Sequence, residues 1–170
     1  EWEKPPPLAE RALRFEVKER LDNFGAVLTP LDLSGLDKIV ETCISEKVAA
    51  IAVCFLHSYR NGDHERQVRD FIAPKLPGVH ISLSSDILPE LQEFERASTT
   101  VVNAYVAPLI AEYLANLRRK LDHIKALAPI LVMQSNGGLV PSQTASERPV
   151  SIIESGPAAG VVAALRASLD

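Results

Sequence analysis

The sequence predicts an α/β fold: a small, mostly parallel sheet with flanking helices, an initial hairpin and one long helical segment. Three observations carry that expectation. Residues 48–56 (Val48-Ala-Ala-Ile-Ala-Val-Cys-Phe-Leu56) form a short apolar run with no polar alternation, as in a strand covered on both faces. A helical pattern over residues 63–75 and a second apolar run at 79–83 follow it, giving the strand–helix–strand order of a right-handed βαβ unit. From Leu88 to about Ile124, apolar residues recur at intervals of three and four, the period of a helix.

Taken in order, residues 1–8 carry Pro5-Pro6-Pro7 and read as a leader unsuited to a helix or a central strand. Leu13, Phe15 and Val17 alternate with charged residues, so residues 12–21 read as a half-exposed strand. Asp22-Asn23-Phe24-Gly25 is turn chemistry, and residues 26–28 form the returning strand of a hairpin. Asp32 or Ser34 is placed to cap a helix over 35–46, with Leu36, Ile39, Val40, Cys43 and Ile44 on its inner face. Asp63 caps the next helix, which turns Val68, Phe71, Ile72 and Leu76 inward and stops at Pro77-Gly78. In the long segment, Val102, Val106, Leu109, Tyr113, Leu117 and Leu121 define the expected core stripe. Pro108 inside it predicts a kink or break near Ala107.

The last third holds two glycine-bearing turns. Residues 130–133 read as a buried strand entering Gln134-Ser135-Asn136-Gly137-Gly138, whose paired glycines permit positive φ and close backbone approach. Residues 145–149 read as a connecting loop, and 151–154 as a second strand. That strand enters Ser155-Gly156-Pro157, where Ser155 or Gly156 caps a helix and Pro157 lies in its first turn. The helix is small-sided, with Ala159 and Ala163, like Gly160 and Ala164, four apart. Such rows suit close backbone packing, and the helix start offers N–H groups to an anion. A tightly packed βα unit without any ligand fits the same residues.

Composition narrows the classes. Apolar residues are 46 %, charged residues 24 % and the formal net charge is −4, with basic residues scattered among acids. Neither nucleic acid nor an anionic membrane surface is implied. No apolar run approaches the roughly 18 residues that span a bilayer. Cys43 and Cys54 suit a reducing, cytoplasmic setting as buried thiols. The histidines His57, His64, His80 and His123 are widely spaced, so no metal site is expected. Walker-type and GxGxxG loops and a Gly-x-Ser-x-Gly elbow are all missing from the sequence.

Several separated motifs resemble, in order, the hydantoinase A/oxoprolinase family. Val53-Cys-Phe-Leu-His-Ser-Tyr59 with His64-Glu-Arg66 precedes Ser84-Ser-Asp-Ile-Leu-Pro-Glu90. The central stretch Glu93-Phe-Glu-Arg-Ala-Ser-Thr-Thr-Val-Val-Asn-Ala-Tyr-Val-Ala-Pro108 looks like the family's signature. Met133-Gln-Ser-Asn-Gly-Gly138 and Ser155-Gly-Pro-Ala-Ala-Gly160 complete the similarity. The resemblance implies a ribonuclease-H/actin-like ATPase fold and an ATP-dependent hydrolase of cyclic amides, with ATP and Mg²⁺ as cofactors. It implies a second, hydantoinase B-like subunit or fused half as partner. The family's two Asp-x-Gly-Gly-Thr phosphate hairpins do not occur in these residues, so a middle segment of a longer subunit is expected. Residues 1–31 would end a preceding N-terminal domain, and 32–170 would form the central α/β segment.

Candidate residues divide into two sets. Asn136, Gly137 and Gly138 are expected to meet substrate or phosphate, and Ser155, Gly156 and Gly160 to form a loop and lobe seam. His57, Arg96, Thr99 and Asn103 are further polar candidates, with His57 and Ser58 placed where ligands gather in α/β sheets, beyond a strand's carboxyl end. The competing accounts are a polar turn with a hydrogen-bonded histidine and a solvated helix face. No residue is assigned as catalytic base. A ketone carboxylase subunit of the same family and a non-catalytic assembly domain stand as alternatives.

Overall fold

The computed structural model describes residues 6–169. The proline-rich leader therefore falls largely outside the described residues. The chain divides into two compact units, with the boundary between Tyr105 and Val106.

The first unit opens with a 3-10 turn at Arg11–Leu13 and the antiparallel pair β1 (Arg20–Leu21) and β2 (Val27–Thr29). The strand expected over 12–21 is reduced to its last two residues. Asp22 builds the turn: its Oδ1 accepts from the Phe24 and Ala26 amides at 2.8 and 2.9 Å, and Gly25 takes φ +90°. Helix α1 (Leu36–Ser45) buries Leu36, Val40 and Cys43. Ile44, expected on the same face, is one position past that narrow stripe and is exposed. Gly35 occupies the N-cap position, and Asp32 instead closes the preceding turn by accepting from the Ser34 amide at 2.9 Å. The Ser34 hydroxyl first, and then that amide contact, hold the Asp32 carboxyl below its ordinary value.

Strand β3 (Ala50–Val53) pairs in parallel with β4 (His80–Leu83), in register from Ala50↔His80 to Val53↔Leu83. Helix α2 (Asp63–Ile72) and a 3-10 turn at Ala73–Lys75 connect them, completing the βαβ unit. Asp63 does not cap α2; Gly62 sits at the N-cap, and Asn61 Oδ1 accepts the Asp63 amide at 3.0 Å. β3 is shorter than the nine-residue apolar run because Val48 is used in ending α1, donating to Cys43 O at 2.9 Å. Leu36, Val40, Cys43, Val53, Val68, Ile72, Leu76 and Leu83 form the core.

Helix α3 (Ser84–Ile87) turns the chain into α4 (Glu93–His123). α4 runs unbroken through Pro108, so of the expected kink or break the break does not occur. The ring deletes only the bond to Ala104, and the buried neighbours Ala104 and Ala107 are small enough to leave it room. The buried side of α4 is also not the expected one. Arg96, Thr100, Asn103, Ala104, Ala107 and Leu114 are buried, whereas Leu109 and Tyr113 of the expected stripe are 70 % and 61 % exposed.

The second unit contains the hairpin β5 (Leu131–Met133) and β6 (Leu139–Pro141), helix α5 (Ser142–Glu147), a 3-10 turn at Pro149–Ile152 and α6 (Ser155–Ala167). Two expectations change here. Part of the connecting loop expected at 145–149 is helical, anchored by fully buried Ala145, and a 3-10 turn with its following turn replaces the strand expected at 151–154. The α/β class with a long helix holds, and its strands pair as three two-stranded sheets, one of them parallel. Among the described residues no helix is long and apolar enough to cross a membrane.

Candidate functional site

Two groups of polar residues emerge, one in each unit. In the first unit the group lies at the carboxyl ends of β3 and β4, where their connections begin. Glu65, on α2, is fully buried and accepts three hydrogen bonds. Its Oε1 takes the Phe55 amide at 2.9 Å and the Ser84 hydroxyl at 2.6 Å, and its Oε2 takes the Ser85 amide at 2.8 Å. With its proton given to Glu65, Ser84 Oγ is left to accept from Ser58 Oγ at 2.9 Å. Gly62 permits this closeness, since a Cβ there would meet Ser85 Oγ at 2.6 Å.

Arg96 reaches the same loop from α4 and is 2 % exposed. Its guanidinium donates to Glu90 O at 2.7 Å and to Phe55 O at 3.0 Å, and lies 5.6 Å from the centre of the Tyr59 ring. The two peptide groups flanking the Phe55 Cα are thus held, the first at its N–H by a carboxylate and the second at its C=O by a guanidinium. His57 follows with φ +59° and half-buried, its ring edge-on to Tyr59 at 6.1 Å. A left-handed conformation at a residue with a Cβ costs about 1 kcal/mol or more. Asn103 Nδ2 donates to Ser82 Oγ at 3.0 Å, and the buried Thr100 hydroxyl donates to Arg96 O at 2.7 Å.

The sequence candidates fare differently here. Arg96 and Asn103 are interior ties of the fold. Thr99 is half-buried, and its neighbour Thr100 occupies the inner position. Ser58 is buried, and only His57 combines partial exposure with unusual backbone geometry. Burial pushes the Cys54 thiol up to about 11, with the Glu65 carboxylate acting in the same direction, which disfavours the thiolate. Glu65 and Ser84 stand inside motifs quoted above, yet nothing in their spacing marked them as buried.

In the second unit the Gln134–Gly138 turn joins β5 to β6. Gly137 takes φ +86°, and the Gly138 amide donates to Asn136 Oδ1 at 2.9 Å. The Gln134, Ser135 and Gly137 amides donate to Gly138 O, Ser151 O and Gln134 O at 2.8, 2.8 and 2.9 Å. Three of those four donors are spent within the turn and the fourth on Ser151, so they do not form a phosphate cradle. The turn does lie against the start of α6. Ser135 Oγ accepts the Glu154 amide at 3.1 Å, and a Cβ on Gly137 would be 3.6 Å from Val162 Cγ2.

Glu154, not Ser155 or Gly156, holds the N-cap position of α6, without a side-chain cap. Pro157 falls in the first turn as expected, leaving the Ser155 and Gly156 amides as donors without an intrahelical acceptor. Gly156 and Gly160 face open space among the described residues, with nothing within 4 Å of an added Cβ. Asn136–Gly138 and the start of α6 are therefore adjacent, while Gly160 is on the open side. No group of three His, Cys, Asp or Glu among the described residues could hold a metal ion. The described residues therefore offer no all-protein cage for Mg²⁺.

A family model described as hydantoinase/oxoprolinase N-terminal region matches residues 3–76, and one described as hydantoinase/oxoprolinase matches 96–169. An uncharacterised protein of Methanocaldococcus jannaschii is 43 % identical over 95 % of this chain and 24 % of its own length. Caprolactamase subunit alpha of Pseudomonas jessenii is 34 % identical over 93 % of this chain and 23 % of its own. The crystal structure of that organism's ATP-dependent caprolactamase superposes with a TM-score of 0.82, at 32 % identity over 93 % of this chain and 23 % of that one. A nucleotide-free structure of acetone carboxylase, described for ATP-dependent acetone carboxylation, also gives 0.82, at 28 % identity over 95 % and 23 %. The chain spans about a quarter of the length of the curated relatives that it matches nearly end to end. With both family models matched, and the fold shared with two such enzymes, the chain belongs to the hydantoinase/oxoprolinase family.

Proposed function

We propose that this chain is part of an ATP-dependent cyclic-amide hydrolase subunit, of the hydantoinase and 5-oxoprolinase type, acting in the cytoplasm with a second subunit or fused half. One observation carries the reading: the caprolactamase likeness runs through 93 % of the chain at 32 % identity with a TM-score of 0.82. The chemistry explains the need for ATP. A ring amide carbonyl is stabilised by resonance, and transfer of the terminal phosphoryl of ATP to its oxygen, releasing ADP, activates the carbonyl carbon. Addition of one water and cleavage of the C–N bond, with a proton passing to the departing amine, open the ring to an acyl phosphate, from which a second water releases phosphate.

What these residues contribute is positioning and charge complementarity. The α6 start brings the Ser155 and Gly156 amides and a positive dipole end beside the Gly137 turn, an arrangement suited to an anionic group. Asn136 keeps that turn closed through the Gly138 amide, and Gly137 supplies its left-handed corner. Most of the nucleotide site and its Mg²⁺ belong, in this reading, to the rest of the subunit. The second reading, a ketone carboxylase subunit, draws on the equal TM-score of acetone carboxylase, and the lower identity of that match places it second.

The test uses the full-length subunit with its partner, assayed for ATP-dependent opening of caprolactam, hydantoin and 5-oxoproline against bicarbonate-dependent carboxylation of acetone. Ring opening is expected. In Gly137→Val, strained at φ +86°, and in Asn136→Ala, turnover should fall by about tenfold or more with the fold retained. Carboxylation without ring opening would transfer the assignment to the second reading.

A further inference from the structure

We propose that Glu65 and Arg96 are positioning residues that set the 54–58 turn so that the His57 imidazole contacts the cyclic amide. The inference rests on the hydrolase reading above and assigns a substrate-facing group within it.

Three features of the first unit point to it. The turn leaves the carboxyl end of β3, beside the carboxyl end of β4, the end of a parallel sheet at which ligands collect. Its Phe55 main chain is held by two buried charges of opposite sign, Glu65 at the N–H and Arg96 at the C=O, at 2.9 and 3.0 Å. Buried charges spent on two consecutive peptide groups contribute little that apolar packing would not, so their return lies in a defined loop geometry.

The geometry so defined is unusual only at His57. Among the described residues, three non-glycine positions have positive φ: Lys47, His57 and Lys125. Lys47 and Lys125 end helices. Lys47 donates to Ile44 O and Val48 to Cys43 O, while Lys125 donates to Asp122 O and Ala126 to Leu121 O, the paired bonds of a Schellman ending. His57 ends no helix. Its left-handed backbone follows from the clamped turn and turns a half-buried imidazole against Tyr59, itself near the Arg96 and Arg60 guanidiniums. Ser58, Ser84, Glu65 and Arg96 of this network are buried and so unsuited to meet a ligand, which leaves His57 with its neighbours Tyr59, Arg60 and Asn61 at the surface of the turn.

The experiment uses the full-length subunit with its partner and separates the KM for the amide from the KM for ATP. His57→Gly keeps the backbone conformation and removes the imidazole. It is expected to lower kcat/KM for the amide about tenfold while leaving the ATP KM and the melting temperature unchanged. Glu65→Gln and Arg96→Lys are expected to raise the amide KM about fivefold at an unchanged ATP KM, and to shift the His57 ring proton resonances. Should Glu65→Gln fail to fold, Ser84→Ala removes one donor to the same carboxylate and carries the same expectation. Wild-type amide kinetics in His57→Gly overturn the proposal, as does a fall in kcat with both KM values unchanged in the clamp variants. A wild-type protein inactive on every cyclic amide overturns the hydrolase reading and this assignment together, which distinguishes the two failures.

Discussion

Glu65 belongs to Asp63-His64-Glu65-Arg66, a run whose charge density reads as the solvated start of a helix. Two of its members are in fact buried, Glu65 at 0 % and His64 at 5 %, and His64 Nδ1 meets Glu19 Oε2 at 2.7 Å. The neighbouring Cys54 gives the clearest consequence at this scale. Its ordinary value is 9.0, and burial first, then the Glu65 charge, push the folded thiol up to about 11. Below the ordinary value the thiol is neutral in both states and the full stability is present. As pH climbs from 9.0 towards about 11, the unfolded thiol ionises and the folded one does not, so stability falls. The urea midpoint should therefore fall further between about pH 8 and about pH 10.5 in the wild type than in Cys54→Ala, where this contribution is absent. Part of this neighbourhood was legible in the sequence: the strand's carboxyl end drew attention to His57 and Ser58. Glu65 was not legible, since its burial depends on hydrogen bonds from Phe55, Ser84 and Ser85, residues 10 to 20 positions away.

Helix α4 carries the main lesson about elements. Periodicity located it, and its type and extent were readable from residues 88–124. Its inward face was not. Of the expected apolar stripe Leu109 and Tyr113 are exposed and Val102, Val106, Leu117 and Leu121 only half-buried, whereas the polar residues Arg96, Thr100 and Asn103 are fully inside. A period of three and four assumes that apolar residues face the core; it says nothing about polar residues whose hydrogen bonds are met there, as by Phe55 O, Arg96 O and Ser82 Oγ. The hairpin around Gly137 was half legible: its turn was foreseen, while its returning strand β6 was not, because Leu139-Val140-Pro141 is too short to show alternation. Pro108 lies inside α4 without ending it, so its missing bond to Ala104 is a standing cost. Pro108→Ala is expected to raise stability by about 1–3 kcal/mol, read from thermal and urea unfolding.

At the scale of the whole molecule, the second unit wears much of its apolar surface outside. Leu127 (84 %), Leu169 (75 %), Val161 (70 %) and Leu165 (61 %) are exposed, and Leu131 and Leu139 of the hairpin join them. Exposed apolar surface on that scale marks a face made for a neighbour. The 170 residues expressed alone are therefore expected to self-associate and bind a hydrophobic dye. Sedimentation velocity should show less association for Leu165→Lys combined with Leu169→Lys. The parallel pair extends the same point to hydrogen bonding. β3 and β4 each have a single partner among the described residues, so the outer margin of each presents a row of peptide groups with no strand alongside. Two strands make a ribbon of marginal stability, and such margins act as templates for whatever extended chain comes within reach. Left unprotected they would recruit strands from other copies and seed fibres; annexed by a further stretch of polypeptide, they would widen the ribbon into a sheet and stiffen the turn that carries His57.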